Sequence, residues 1–292
     1  MTASRTALSA PVDGFRLCYD VVGDGPDVVL LHGWPGDRAD FRSVVPLLEG
    51  MRLVVPDLRG FGGSDAHPQP PADAYSAPAQ LRSVLGLLDE LGVRRAVFGG
   101  YDIGSRLLQA ITSADPDRVR ALVLTPPLPG AGQRLLAPAV QAEFWYQSLH
   151  RLPLADDLLD GRPDALRAYL GHLWSHWSGP GFSLTPDELD RLVGLYGRPG
   201  AFTASIAWYR SRAGSVASAT TEAPPPADER VAVPAEVLWP EHDPLFPPEW
   251  SDRLGEWYAE ARLTILPGCG HFVPLEAPEA FADAVRRALA RG

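Results

Sequence analysis

The stretch Gly99-Gly100-Tyr101-Asp102-Ile103-Gly104 sets a carboxylate among glycines. It comes directly after the apolar run Ala96–Phe98 and directly before a helical pattern of Leu107, Leu108 and Ile111. A small-x-nucleophile-x-small turn between strand and helix is a nucleophile elbow: the glycines permit a sharp backbone, and the central side chain is pushed out beside a helix N-terminus. An Asp at a helix start also suits simple capping, so this motif alone leaves both readings open. Residues elsewhere in the chain favour chemistry. The run Val237–Trp239 ends in Pro240-Glu241-His242-Asp243-Pro244, and Leu263–Leu266 ends in Pro267-Gly268-Cys269-Gly270-His271. Nucleophile, acid and histidine thus follow one another in that order, each just past a strand, where an open α/β sheet gathers its site. His271 is placed to be the base and Asp243 to orient it, with Glu241 the less favoured acid. No acid follows the run Ala121–Leu124, which leads into Thr125-Pro126-Pro127-Leu128-Pro129-Gly130.

Upstream, Val28–Leu31 leads into His32-Gly33-Trp34-Pro35-Gly36-Asp37. A tight turn there can aim the Trp34 N–H at the same centre as the Ile103 N–H, forming an oxyanion hole. His32 suits a structural hydrogen bonder better than a catalyst. Gly62-Gly63-Ser64-Asp65-Ala66 imitates a serine elbow, but the proline-rich stretch after it cannot be the required helix, so Ser64 reads as a turn residue.

These residues need a scaffold. Short unbroken runs (Val28–Leu31, Leu53–Val55, Ala96–Phe98, Ala121–Leu124, Val237–Trp239, Leu263–Leu266) suit strands of a parallel sheet buried on both faces. Phe41, Val44, Val45 and Leu48 have helical spacing; so do Leu81, Val84, Leu85 and Leu88, with Gly92 placed to end that helix. Phe281, Val285 and Leu289 mark a last helix, and the alternation over Phe15–Val22 predicts an antiparallel edge hairpin. Alternating strands and helices read as a right-handed α/β sheet. The rhythm fails between about Pro126 and Val231, where only helical patterns such as Ala142–Leu149, Asp164–Trp174 and Pro186–Tyr196 occur before a Pro- and Ala-rich return. A helical insertion of this kind reads as a lid, with residues 1–128 and 231–292 as the core domain and 129–230 as the cap.

The chain has 292 residues, 46% hydrophobic and 21% charged, so it can bury a large core. Its net charge of −10 argues against nucleic acid and against anionic membrane surfaces. No apolar run approaches the ~18 residues of a membrane span. The opening MTASRTALSAPVDGF lacks the apolar stretch of a signal peptide. Cys18 and Cys269 are too few for a disulfide framework or a zinc site and read as buried thiols in a reducing compartment. The expectation is a cytoplasmic monomer or homodimer.

HGWPGD, VPDLRGFGGSD, GGYDIGSR, WPEHDPLFP and GCGHFVPLEAPE together resemble the α/β-hydrolase superfamily, and within it the epoxide hydrolase and dehalogenase branch with an aspartate nucleophile. The resemblance implies a mostly parallel eight-stranded sheet flanked by helices, with a helical cap after the sixth strand. It implies two cap tyrosines that hold an epoxide oxygen. Tyr209, in AWYR, matches the second; Tyr146, in EFWYQ, is the leading candidate for the first, the alternative being that it packs the cap beside Phe144 and Trp145. Trp145, Trp174, Trp177 and Arg106 are candidates for the substrate pocket, and His176 stands beside them; aromatic residues at this spacing also suit a plain core. Haloalkane dehalogenases of this branch carry a Trp after the nucleophile, and haloacetate dehalogenases an Arg there and another at the fourth position on. Here Ile103 fills the first place and only Arg106 meets the second, while Tyr101 stands where many relatives have His. Epoxide hydrolysis is therefore the leading expectation, with a small epoxide and water as reactants and no metal or organic cofactor. A dehalogenase with the same nucleophile and a non-catalytic ligand-binding protein are the alternatives. Unperturbed ionisation suits the chemistry: near neutral pH an Asp is a carboxylate, a Tyr a phenol and a His largely a neutral base.

Overall fold

The apolar runs become the centre of an eight-stranded sheet in the computed structural model, which describes residues 4–291. Its strands are β1 Ser4–Leu8, β2 Cys18–Val22, β3 Asp27–Leu31, β4 Arg52–Pro56, β5 Ala96–Gly100, β6 Val119–Leu124, β7 Ala235–Pro240 and β8 Ala261–Leu266. They lie in the order β1-β2-β4-β3-β5-β6-β7-β8. β1–β2 and β2–β4 pair antiparallel; every pair from β4 onward is parallel. The edge hairpin thus exists, with β2 as one arm and the more N-terminal β1 as the other. β5 is buried at all five positions, as a strand covered by helices on both faces must be. β8 departs from the expectation of burial on both faces. It is the outer edge, and Leu263 and Ile265 are exposed.

The helix Ala77–Glu90 buries Val84, Leu87 and Leu88 in the core and ends at Gly92, whose φ of +67° suits glycine. The last helix, Pro278–Arg291, buries Phe281 and Val285. The spacing of Phe41, Val44, Val45 and Leu48 does not give one α-helix; it gives two 3-10 turns, Arg38–Phe41 and Val45–Leu47. Asp37 caps the first turn, and Pro46 lacks the N–H that a continuous helix would need there. Phe41, Val44 and Leu48 are buried all the same, so the periodicity reported burial rather than backbone form.

Between β6 and β7, residues 125–234 form helices and, among the described residues, no strand. The principal ones are Pro138–Glu143, Trp145–His150, Pro163–Trp177, Pro186–Tyr196 and Ala201–Arg210. The helix expected over Ala142–Leu149 is interrupted at Phe144, whose ψ of 14° closes one helix before the next begins. This layer is tied to the loop after β3. Arg191 pairs with Asp37 at 2.7 Å, the Tyr196 hydroxyl donates to the Gly36 carbonyl at 2.7 Å, and Trp174 Nε1 donates to the Pro35 carbonyl at 3.3 Å. No helix among the described residues is long and apolar enough to cross a membrane.

Candidate active site

β3, β5, β7 and β8 run parallel, so their C-terminal ends open on one edge of the sheet. The strand order reverses at β3, the position where such sheets leave a crevice for ligands. After β5 the chain turns sharply at Asp102, a non-glycine residue at φ 48°, ψ −120°, before the helix Ile103–Ala114. Such a conformation costs of order 1–3 kcal/mol and persists only where the surroundings impose it. They do so through close backbone approach. A Cβ on Gly104 would lie 2.0 Å from the Leu31 carbonyl oxygen, and one on Gly33 would lie 2.4 Å from the Asp102 Cβ.

The Asp102 carboxylate is used at both oxygens. Its Oδ1 accepts from the Trp34 N–H at 3.3 Å and from the Ile103 N–H, so both expected oxyanion donors converge on one atom. Its Oδ2 faces His271 Nε2 at 3.3 Å. His271 Nδ1 meets Asp243 Oδ2 at 2.9 Å, and Asp243 Oδ1 accepts from the Leu245 N–H at 2.9 Å. The His271 backbone is anchored by its N–H to the Trp177 carbonyl at 2.8 Å. All three side chains are buried. Burial opposes a charge on His271, but the Asp243 carboxylate and the hydrogen bonds to Asp102 and Asp243 outweigh it and raise the imidazole to about 10. Glu241 points away to the surface and accepts from the Gly268 N–H at 2.9 Å. His32 is structural: its Nε2 accepts from the Leu58 N–H at 3.0 Å. Ser64 closes a turn, donating to the Asp57 carbonyl at 2.7 Å. Cys18 and Cys269 are buried free thiols.

Opposite the carboxylate stands an aromatic layer from the helical insertion. Tyr146 lies parallel to Trp34, with centroids 5.8 Å apart, and its ring is 5.7 Å from Tyr209. Burial first, and the Asp102 charge with it, push both phenols well above their ordinary range, so they are held as O–H donors. Tyr146 oxygen accepts from Gln147 Nε2 at 3.1 Å, while the Tyr209 hydroxyl has no protein partner among the described residues. Trp177 reaches both Tyr146 (4.9 Å) and His271 (5.4 Å), and Arg106 lines the cavity beside Ile103. Trp174 lies further out, stacked on Phe272 at 3.6 Å. Trp145 does not reach the cavity. It precedes Tyr146 on the same helix, so when Tyr146 faces inward Trp145 is turned about 100° away, and it packs on Tyr169 and His172 with 39% of its surface exposed. His176 is also outside, paired with Glu143 at 2.6 Å.

His150 was not among the residues that the sequence singled out. It sits one helical turn after Tyr146, 4.6 Å from Trp34 and 4.8 Å from Tyr209, fully buried. Burial, with Arg210 nearby, drives its pKa far down, so it is a neutral imidazole. Its Nε2 meets the Tyr169 hydroxyl at 2.8 Å and its Nδ1 has no partner among the described residues. The i, i+4 spacing of Tyr146 and His150 was the available signal.

The sequence profile of the α/β hydrolase fold matches residues 26–278. Pig bifunctional epoxide hydrolase 2 is 26% identical over 91% of this chain, which spans about half (51%) of that relative's length. Epoxide hydrolase A of Mycobacterium tuberculosis is 28% identical, with 91% of each chain covered. A solved epoxide hydrolase from metagenomes of hot environments superposes with a TM-score of 0.82 at 27% identity, covering 99% of both chains.

Proposed function

Because the chain belongs to the α/β hydrolase fold family, we propose that it is an epoxide hydrolase working through an ester on Asp102. The observation that carries this reading is the divided carboxylate. Oδ1 rests on two backbone amides, while Oδ2 is left facing His271 with two buried phenols in the same cavity. We take 129–230 as a cap over a core of 1–128 and 231–292.

Asp102 Oδ2 attacks an epoxide carbon and needs no base to do so, because it is already an anion. The carbon–oxygen bond of the ring breaks, and Tyr209, with Tyr146 beside it, donates a proton to the departing oxygen. Alkylation removes the Asp102 charge, one of the groups that hold the proton on His271. The imidazole then releases that proton, which restores the phenol through solvent, and becomes the base that activates water. Water attacks the ester carbonyl carbon, charge gathers on Oδ1 between the Trp34 and Ile103 amides, and the diol leaves with the original Oδ2. Asp243 keeps the imidazole oriented throughout. If Tyr146 only packs the layer, His150, 5.6 Å from it ring to ring and with an Nδ1 that has no partner among the described residues, is the neighbouring group to test in its place.

The reactants on this reading are a small epoxide and water. The buried thiols suit a reducing cytoplasm, and we take the protein as a monomer or homodimer there. Turnover of styrene-type, aliphatic and polycyclic epoxides beside haloacetates tests the reaction. Ile103 offers a departing halide no side-chain donor, so kcat/KM is expected to be higher for epoxides. A clearly higher value for a haloacetate would make Arg106 a clamp on the substrate carboxylate and the enzyme a dehalogenase.

A further inference from the structure

The cavity at Asp102 is tightly constricted. Its free space is about 10 Å³, room for one water at most, so a substrate enters only where a wall gives way. Two open clefts flank the helix Ala201–Arg210. The larger, about 590 Å³, lies between that helix and the segment 64–75, and none of its lining residues also lines the cavity. The smaller, about 430 Å³, lies between the helix Ile103–Ala114 and the segment 213–223. It shares Arg106, Trp208 and Ala213 with the cavity, so these three residues stand between the two spaces.

That wall is lightly held. Arg106 Nη2 donates to Ser218 Oγ at 2.9 Å, the Val216 N–H donates to Gln147 Oε1 at 3.3 Å, and the Gly130 N–H donates to Glu222 Oε1 at 2.9 Å. Within it Ser215–Ser218 forms one short helical turn, and among the described residues no strand pairs with it. At its near end Gly214 presses on the aromatic layer, where a Cβ would meet Gln147 Oε1 at 2.7 Å and Tyr209 Cδ1 at 3.1 Å. Gln147 therefore touches both the segment and the Tyr146 hydroxyl, so displacing 213–218 opens the cavity beside both phenols.

We propose that the 430 Å³ cleft is the substrate entrance, that segment 213–218 is its door, and that the cleft then holds the substituent of the bound epoxide. Ala77, Ala110, Pro129, Ala223 and Trp257 give it an apolar lining, while Arg106 and Glu222 carry opposite charges. A neutral aryl or alkyl substituent fits that surface; a charged one does not. The substituent rests on the epoxide reading, whereas the entrance can be tested without any epoxide.

Asp102→Cys places a thiol in the constricted cavity, and its rate of modification by iodoacetamide and by N-phenylmaleimide reports access. Protein with Asp102 intact supplies the background from Cys18 and Cys269. Adding Ala110→Trp, which fills the smaller cleft, is expected to slow labelling at least tenfold, more for the phenyl reagent. Ala201→Trp, which fills the larger cleft, is expected to leave it unchanged. If Ala110→Trp does not fold, Thr221→Trp fills the same cleft from the other wall. Slowing by Ala201→Trp alone, or by neither, overturns the entrance. With Asp102 intact, Ala110→Trp should raise KM for styrene oxide at least tenfold more than for propylene oxide; equal effects on both would remove the substituent site. A wild type inert to every epoxide would defeat the reaction while the labelling rates still decided the entrance.

Discussion

On the sheet edge, Asp102, His271 and Asp243 are aimed by hydrogen bonds of 2.9 and 3.3 Å, and a strained backbone fixes the first of them. In the helical layer above, Tyr146, Tyr209 and His150 are held mostly ring against ring, with centroids 4.8 to 5.7 Å apart and one hydroxyl unpartnered. The first arrangement suits steps in which one atom must attack along one line. On the proposed reading, the second holds more than one donor near an oxygen whose position depends on the substrate. Loss of a sheet-edge group should therefore be nearly complete, and loss of a cap group graded.

The largest effect is expected at the elbow. Asp102→Ala should lower epoxide turnover by about 10⁴-fold or more, as removal of a nucleophile does elsewhere. Turnover within tenfold of wild type would mean that water attacks the epoxide directly. The helical layer sharpens the contrast. Tyr209→Phe should cost about 10²-fold, the lower part of the range for a general acid, and Tyr146→Phe the same or less. If Tyr146→Phe proves silent while His150→Leu costs as much as Tyr209→Phe, the second donor is the imidazole. Equal, near-complete losses at all three would erase the distinction between the regions.

The strand-end residues were legible because two independent patterns coincided: buried apolar runs, and nucleophile, acid and histidine in order just past three of them. The sheet edge converts that order directly into proximity. The insertion offers no such rule. Trp145 and Tyr146 are sequence neighbours with opposite fates, 39% exposed and buried, because the helix phase around Phe144 decides which faces in. His150 escaped notice because its importance lies in contacts to Trp34 and Tyr209, far away in sequence. Periodicity over Phe41–Leu48 identified buried side chains, but a proline changed the backbone that carries them.

A smaller effect concerns pH. His271 is raised from its ordinary value of about 6.5 to about 10, so the folded protein binds its proton more tightly than the unfolded chain. The stability this contributes is complete below about pH 6.5 and is lost as pH rises through about 10. The difference in Tm between wild type and His271→Gln should therefore shrink steadily from about pH 6 to about pH 10. A difference that grew over that range would show that the resting imidazole is neutral.

The ester on Asp102 is the central claim, and His271→Gln isolates it. That variant keeps the nucleophile and loses the base, so mixing it with styrene oxide should raise the protein mass by one substrate, with the adduct on the peptide bearing Asp102 and little diol released. The same experiment with Asp102→Ala should show no adduct. An unmodified His271→Gln protein, together with wild-type single turnover in heavy-oxygen water that puts the label straight into the diol, would contradict the account.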